Sequence, residues 1–423
     1  METLLQPVWK KATKNWKHPL HTMCSYLAMF PPALPNYFIE QFTQENDYVL
    51  DPFSGRGTVV LEAARRNRIA IGNDLNPMAA VLSKAKANVP AYNSVINRLN
   101  YLQKNYTPSM IDEEPEDIKM LYDTDLTLPQ LCYIKENLDI NKSKVDNFIM
   151  GALMGIMHGK HRKDGTSAYL SISMPNTFSM SPNYVQYFIN DNNLTKIKQN
   201  VFECLRKKID SIHPKDDIPR KGIQYTDNAL NFSEKKYKQY KNKIKLIITS
   251  PPYLKVINYG KYNWIRLWLL DENSREIDQT LKIDNAYKKS QKIKLSDDLK
   301  LDQYLNFMQQ LIKSWENLLT DDGLAVIVIG DVELHNRKKN DYIELAEEVW
   351  GNVKKHTSLR LVDILSDKID GNKKVTKIWG EERKGTATKV DKLLILSRTG
   401  KLPKANIQRK IQEHFTNIYG GQQ

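Results

Sequence analysis

The segment Ile244-Lys245-Leu246-Ile247-Ile248-Thr249-Ser250-Pro251-Pro252-Tyr253 decides the fold. Its apolar run, Ile244 to Ile248, reads as a central parallel strand covered on both faces. Two prolines in succession then forbid both helix and further ladder pairing, so the backbone leaves the sheet rigidly. A hydroxyl, a proline carbonyl and an aromatic ring are thereby set at the carboxyl end of a strand, where open α/β sheets bind ligands. A rigid acceptor pair beside a flat ring suits a planar group carrying an exocyclic amine. An ordinary strand-to-loop exit is the alternative reading of the same residues.

A second segment, Asp47-Tyr48-Val49-Leu50-Asp51-Pro52-Phe53-Ser54-Gly55-Arg56-Gly57-Thr58, reads as a short strand, a Gly-x-Gly turn and a helix starting near Val59. Glycines admit close approach of a ligand to the backbone, and a helix N-terminus offers donors and partial positive charge. The full three-glycine dinucleotide fingerprint is missing, which disfavours a nicotinamide cofactor. Ile69 to Ile71 reads as the next strand, ending near Asp74, about 20 residues past the turn, where a carboxylate grips a ribose diol. An N-cap of the helix through Ala79 to Ala87 is the other role open to Asp74.

The pairing of Asp51-Pro-Phe-Ser-Gly-Arg-Gly-Thr58 with Ser250-Pro-Pro-Tyr253 resembles the amino-methylating DNA methyltransferases that use S-adenosylmethionine. The serine form of the second motif is similar to the cytosine-N4 branch; the adenine-N6 branch usually carries Asp or Asn there. His18-Pro19-Leu20-His21 through Pro35, Thr226-Asp227-Asn228-Ala229, Gly323 to Asp331 and Val390 to Ser397 resemble the family's other segments. Length and opening sequence are similar to those modification enzymes of the branch that act on the inner cytosine of GGATCC.

The resemblance implies a Rossmann-like class I methyltransferase fold: a mostly parallel seven-stranded sheet, helices on both faces, and a largely helical insertion. It implies Ser250, Pro251, Pro252 and Tyr253 as catalytic residues, acting on a base flipped out of duplex DNA. Cofactor binding is expected at His21, Asp51, Phe53, Gly55, Gly57, Thr58, Asp74 and Asp227. Asp51 is read as fixing the glycine turn or the methionyl ammonium, Phe53 as a face for the sulfonium, and Asp227 as an acceptor for the adenine amine. Core packing for Phe53, an exposed turn for Asp227 and a satisfied core role for His21 are the competing roles. It further implies a functional pairing with a restriction endonuclease, without required contact, in a prokaryotic cytoplasm at the nucleoid. No Pro-Cys pair supplies the covalent nucleophile of a carbon-5 methylase.

Composition agrees with a polyanionic partner. The 423 residues carry 63 Lys+Arg against 49 Asp+Glu, a formal charge of +14, and neutralised phosphates release counterions. Cys24, Cys132 and Cys204 are scattered, which implies neither a disulfide framework nor a zinc site. No metal is expected. No apolar run reaches about 18 residues, so no membrane association is expected.

The strand-turn-helix rhythm stops between Pro90 and about Lys215. Residues 1–90 and 216–400 are therefore expected to form the catalytic domain, 91–215 an insertion that carries target recognition, and 401–423 a tail. Met150, Met154 and Met157 at helical spacing read as core filler. Basic loops at His161, Arg162 and Lys163, and at Lys373, Lys374, Lys377, Arg383 and Lys384, are candidate DNA contacts. A solvated charge run is the alternative for the second loop. Met174 to Tyr184, rich in amides, hydroxyls and rings, is either a reader of base edges or an irregular connection.

Overall fold

The computed structural model describes residues 18–26, 31–162, 167–175, 179–252, 259–280, 301–336, 339–368 and 390–403. Its main sheet contains β1 (Tyr48–Asp51), β2 (Ile69–Asn73), β3 (Ile223–Tyr225), β4 (Ile244–Thr249) and β5 (Leu319–Gly330). A hairpin, β6 (Val332–Asn336) with β7 (Lys339–Ile343), precedes β8 (Arg360–Lys368) and β9 (Val390–Ser397). The order across the seven strands is β3-β2-β1-β4-β5-β9-β8. Pairings from β3 through β5 are parallel, whereas β9 runs antiparallel to both β5 and β8. This is the Rossmann-like arrangement expected. The chain builds outward from β1 to β3 on one side and then returns to lay β4 on the other, so the order reverses between β1 and β4. A crevice opens at the carboxyl ends of strands at such a reversal.

The alternation of apolar residues supplies a core for each face. Leu50, Ile71, Ile247, Ala325 and Leu394 pack with Tyr304, Leu311 and Trp315 of the helix Leu301–Trp315. Val49, Ala70, Leu246, Ile248, Val326 and Ile395 face α1 (Ala33–Phe42) and α2 (Thr58–Arg65) through Leu34, Phe38, Val60 and Ala64. Ile244 joins Ile247 on one face despite the odd spacing because the pairing register shifts between Ile244 and Leu246. The third helix, α3 (Pro77–Ala87), is capped by the Asn76 side chain, which accepts from Met78 N. Asp74 is therefore not its N-cap.

Among the described residues, 91–215 contribute helices and no named strand: α4 (Tyr92–Lys104), α5 (Glu116–Lys119), α6 (Thr127–Asn137), α7 (Lys144–Met154), α8 (Pro182–Asp191) and α9 (Val201–Ile212). Met150, Met154 and Met157 are buried in their core. That core continues into the catalytic part: Met78, Leu82 and Ala85 of α3, with Ile265 and Leu269 in and after α10 (Tyr259–Trp268), belong to it. The remaining helices are α11 (Ser274–Thr280), α12 (Leu301–Trp315) and α13 (Leu345–Val353). The β6–β7 hairpin has no counterpart in the sequence reading.

The centre and edge of this sheet should respond differently to truncation. Ile247→Ala, at a fully buried position, is expected to lower the unfolding free energy by about 2–5 kcal/mol. Ile223→Ala, at a position 40% exposed on the edge strand, is expected to cost under about 1 kcal/mol. Urea denaturation of both variants checks this; equal losses would contradict the strand order.

Candidate active site

Two strand tips define the site. Because β1 and β4 are parallel neighbours, Asp51 and Thr249 finish side by side, and the Thr249 hydroxyl donates to Asp51 Oδ1 at 2.7 Å. Phe53 N donates to the same oxygen at 3.2 Å. Asp51 is buried, and burial raises its pKa to about 7; the nearby Asp74 charge adds to the rise, while the hydrogen bonds from Thr249 and Phe53 oppose it. Ser250 and the buried Pro251 follow at once, so the motif starts one residue beyond the Asp51 contact.

The glycine turn is held by the next strand along. Ser54 N donates to Asn73 O, and Gly55 N to Asp74 Oδ2, both at 2.8 Å. Asn73 Nδ2 reaches Asp227 O at 2.9 Å and Pro52 O at 3.2 Å, tying the ends of β1, β2 and β3 together. Gly57 has φ +78°, and a Cβ there would stand 2.7 Å from Ser83 Cα; both conformation and space demand glycine. Asp74 also accepts from Asn76 N at 2.9 Å. Burial raises its pKa to about 6, against the opposing hydrogen bonds from Asn76 and Gly55. The sequence reading offered Asp51 as the residue fixing the turn; Asp74 holds Gly55, and Asp51 is bound to β4.

The segment before α1 covers the turn from behind. His18 caps its single 3-10 turn, and His21 Nε2 lies 2.7 Å from Glu62 Oε1. Burial opposes ionisation of Glu62, but Arg66, His21 and Arg65 outweigh it and hold the carboxyl well below the usual range. His21 is pushed down to about 4 by its own burial, despite Glu62. A neutral ring donating from Nε2 leaves Nδ1 as an acceptor, and that atom has no hydrogen-bond partner among the described residues. Arg56 donates from Nη1 to His21 O at 2.7 Å, and the buried Lys86 ammonium donates to Arg56 O. Arg56 Nε, Asn73 Oδ1 and Ser83 Oγ are likewise buried without partners among the described residues. Arg266 of α10, fully buried, donates to Ser25 Oγ at 3.2 Å and to Met154 O of α7 at 3.1 Å.

The other expected residues distribute unevenly. Phe53 is half-buried and meets Phe307 edge-on at 6.4 Å. Asp227 sits just past β3 with its acceptors taken by Asn228 N, Asn231 Nδ2, Tyr237 Oη and Lys236 Nζ. Burial opposes its ionisation, but those four partners hold its pKa below the ordinary value. Thr58 opens α2. His161 Nε2 lies 2.8 Å from Ser171 O, and Arg162 is exposed. Tyr253, Lys163, Lys373, Lys374, Lys377, Arg383 and Lys384 lie outside the described residues. The strands flanking the second basic loop do pair Lys368 with Val390, at the same edge where β5 ends at Gly330.

Thr249, Asn73, Glu62 and Arg266 were missed by sequence reading. A polar residue closing an apolar strand, as at Thr249, and a lone acid within Val59-Val60-Leu61-Glu62-Ala63-Ala64 were the available signals. Among the described residues, no group of three or more His, Cys, Asp and Glu is placed to hold a metal ion, and no helix is long and apolar enough to cross a membrane.

A family model described as DNA methylase matches residues 2–85 and 244–417, more than half of the sequence, including both motifs. The chain belongs to that family. Relatives of the chain include the type II methyltransferase M.XycI of Xanthomonas campestris pv. cyanopsidis, 42% identical over 76 residues that are 18% of this chain and 23% of that protein. M.MvaI of Kocuria varians is 24% identical, covering 61% of this chain and 60% of its own. M.MjaII of Methanocaldococcus jannaschii is 22% identical, covering 80% and 75%. The chain thus spans less than two thirds of the first two relatives.

The buried acid gives the stability of the protein a pH dependence of definite sign. Asp51 has an ordinary value of 3.8, raised in the fold to about 7. Between those values the folded state holds the extra proton, so this residue's contribution to stability falls as pH rises across the window. Asp51→Asn removes that slope: urea midpoints should show the variant gaining on wild type between pH 5 and pH 8. A constant difference would contradict the assignment.

Proposed function

We propose that this DNA methylase is a site-specific type II enzyme that methylates the exocyclic N4 of a flipped cytosine in duplex DNA. The single observation carrying this reading is the Thr249–Asp51 hydrogen bond, which joins the strand leading to Ser250 with the strand leading to the glycine turn. S-adenosylmethionine supplies a methyl group already activated by its sulfonium. Several features fit that ligand. Two acids at neighbouring strand tips, Asp51 and Asp74, both have their protonation favoured, as expected of a site prepared for a cation and a diol. The start of α2 at Thr58 offers backbone donors to a carboxylate, beside a glycine turn whose own Gly55 and Gly57 N–H groups are taken by Asp74 and Ser54 O. His21 Nδ1 is an acceptor without a partner, which suits an ammonium. Phe53 is the aromatic face for the sulfonium. For Asp227 to accept an adenine amine, Lys236 must yield its place on Oδ2.

At the acceptor, the Ser250 hydroxyl and the Pro251 carbonyl take hydrogen bonds from the base amine, turning its lone pair out of the ring. Tyr253 stacks on the base, worth about 1–3 kcal/mol by analogy with other base–aromatic contacts. The amine nitrogen takes the methyl as the carbon–sulfur bond breaks, leaving S-adenosylhomocysteine, and the extra proton on nitrogen passes to solvent; the protein contributes mostly positioning and hydrogen bonding. Residues 91–215 are assigned to target recognition, with His161, Arg162, Lys163 and the loop bearing Lys373, Lys374, Lys377, Arg383 and Lys384 on phosphates. A paired restriction endonuclease acting on GGATCC, and work at the nucleoid of a prokaryotic cytoplasm, complete the reading.

DNA from cells expressing the chain, digested to nucleosides, should contain N4-methylcytosine. N6-methyladenine alone would overturn the cytosine assignment; no modified base would overturn DNA methylation. In vitro, Ser250→Ala should slow methyl transfer on the order of 10–100-fold while leaving cofactor affinity near wild type, since the lost bond is to the acceptor amine.

A further inference from the structure

Helix α8 has an unusual outer face. Val185 and Phe188 are buried, and Tyr184 stacks on Phe188 at 6.2 Å between ring centroids. Asn183, Gln186, Tyr187, Asn190 and the terminal Asp191 are exposed, and the first four, at i, i+3, i+4 and i+7, form one stripe. Solvated helix faces are ordinarily covered with Lys and Glu. Here the stripe is three amides around a tyrosine 64% exposed. None of the three amides makes a side-chain hydrogen bond to another described residue. The one charged side chain on the helix is Asp191 at its C-terminal end; basic residues come before and after it in sequence, with Lys160 and Arg162 preceding it and Lys196 and Lys198 following it, all exposed.

The helix is also tied to the catalytic loop's far end. Ser179 N donates to Tyr262 O at 2.7 Å, and Trp264 Nε1 donates to Met180 O at 2.7 Å. His158 braces the same segment, with Nδ1 2.6 Å from Pro175 O and Nε2 3.3 Å from Ser179 Oγ. Tyr262 and Trp264 lie in α10, the first helix after Ser250-Pro-Pro-Tyr253. The amide stripe therefore begins next to the element on which the catalytic loop lands.

We propose that α8 is the base-reading helix: Asn183, Gln186 and Asn190 enter the major groove and select an A·T pair, while the basic flanks hold phosphates. This rests on the reading that the chain methylates DNA. Asn and Gln amides pair bidentately with adenine N6 and N7, and an α-helix, about 10–12 Å across with its side chains, fits a major groove about 12 Å wide. An uncharged stripe carries sequence information without the indiscriminate attraction that lysines on the same positions would add.

The test uses the full-length protein, S-adenosylmethionine and a pool of duplex DNA with a randomised segment, the modified positions being read by sequencing. Wild type should modify one preferred sequence containing A·T pairs. Asn183→Ala, Gln186→Ala and Asn190→Ala should each be folded, and at least one should lose discrimination at a single A·T position by about 5–100-fold, with the rest of the site unchanged. Lys196→Ala should instead weaken modification evenly over all sequences. Unaltered site preference in all three amide variants overturns the proposal, as does an even loss at every sequence. A wild-type protein that modifies no duplex would overturn the underlying reading as well, so the two failures are distinguishable.

Discussion

One short hydrogen bond, Thr249 to Asp51, fixes how the two chemical halves of this protein meet. They are far apart in sequence, one before the helical layer and one after it. Parallel pairing brings their strands together, but pairing alone aligns backbones. A buried acceptor at one tip and a buried donor at the other specify which side chains face each other, because either group left alone in that apolar setting costs about 1–3 kcal/mol. The glycine turn and the Ser-Pro-Pro exit leave the sheet from adjacent points as a result.

Burial at these strand tips has an electrostatic consequence that the contact only partly offsets. It favours protonation of Asp51 and Asp74, against their hydrogen bonds, whereas Glu62, behind the turn, is matched by Arg65 and Arg66. The contrast separates two uses of a buried acid. Glu62 holds the His21 segment against α2 and is neutralised within the protein. The strand-tip acids have no such cationic partner among the described residues, and burying them costs stability.

Much of the fold was legible in the sequence because parallel strands buried on both faces are nearly continuous apolar runs. Ile223 to Tyr225 and the core of every other sheet strand fall where the periodicity places them. Ends were less legible: β5 begins at Leu319, because Asp321 and Asp322 continue a strand that composition alone reads as a turn. The β6–β7 hairpin offers only the short alternation Val332-Glu333-Leu334-His335 before a polar turn, too brief a pattern to stand out. At the site, glycines and prolines announce themselves through backbone constraint. Thr249, Asn73 and Arg266 act through partners that only the folded chain supplies, so no spacing rule reveals them. The extension of the helical layer's core into α3 and α10 was hidden for the same reason, since composition marks where a rhythm changes and not what packs across the change.

A double-mutant cycle on Asp51→Ala and Thr249→Val tests the central contact most directly. Unfolding free energies of wild type, both single variants and the double variant should give a coupling of about 0.5–3 kcal/mol, the double variant losing less than the sum of the singles. Strict additivity would mean that the two strand tips do not meet through these side chains.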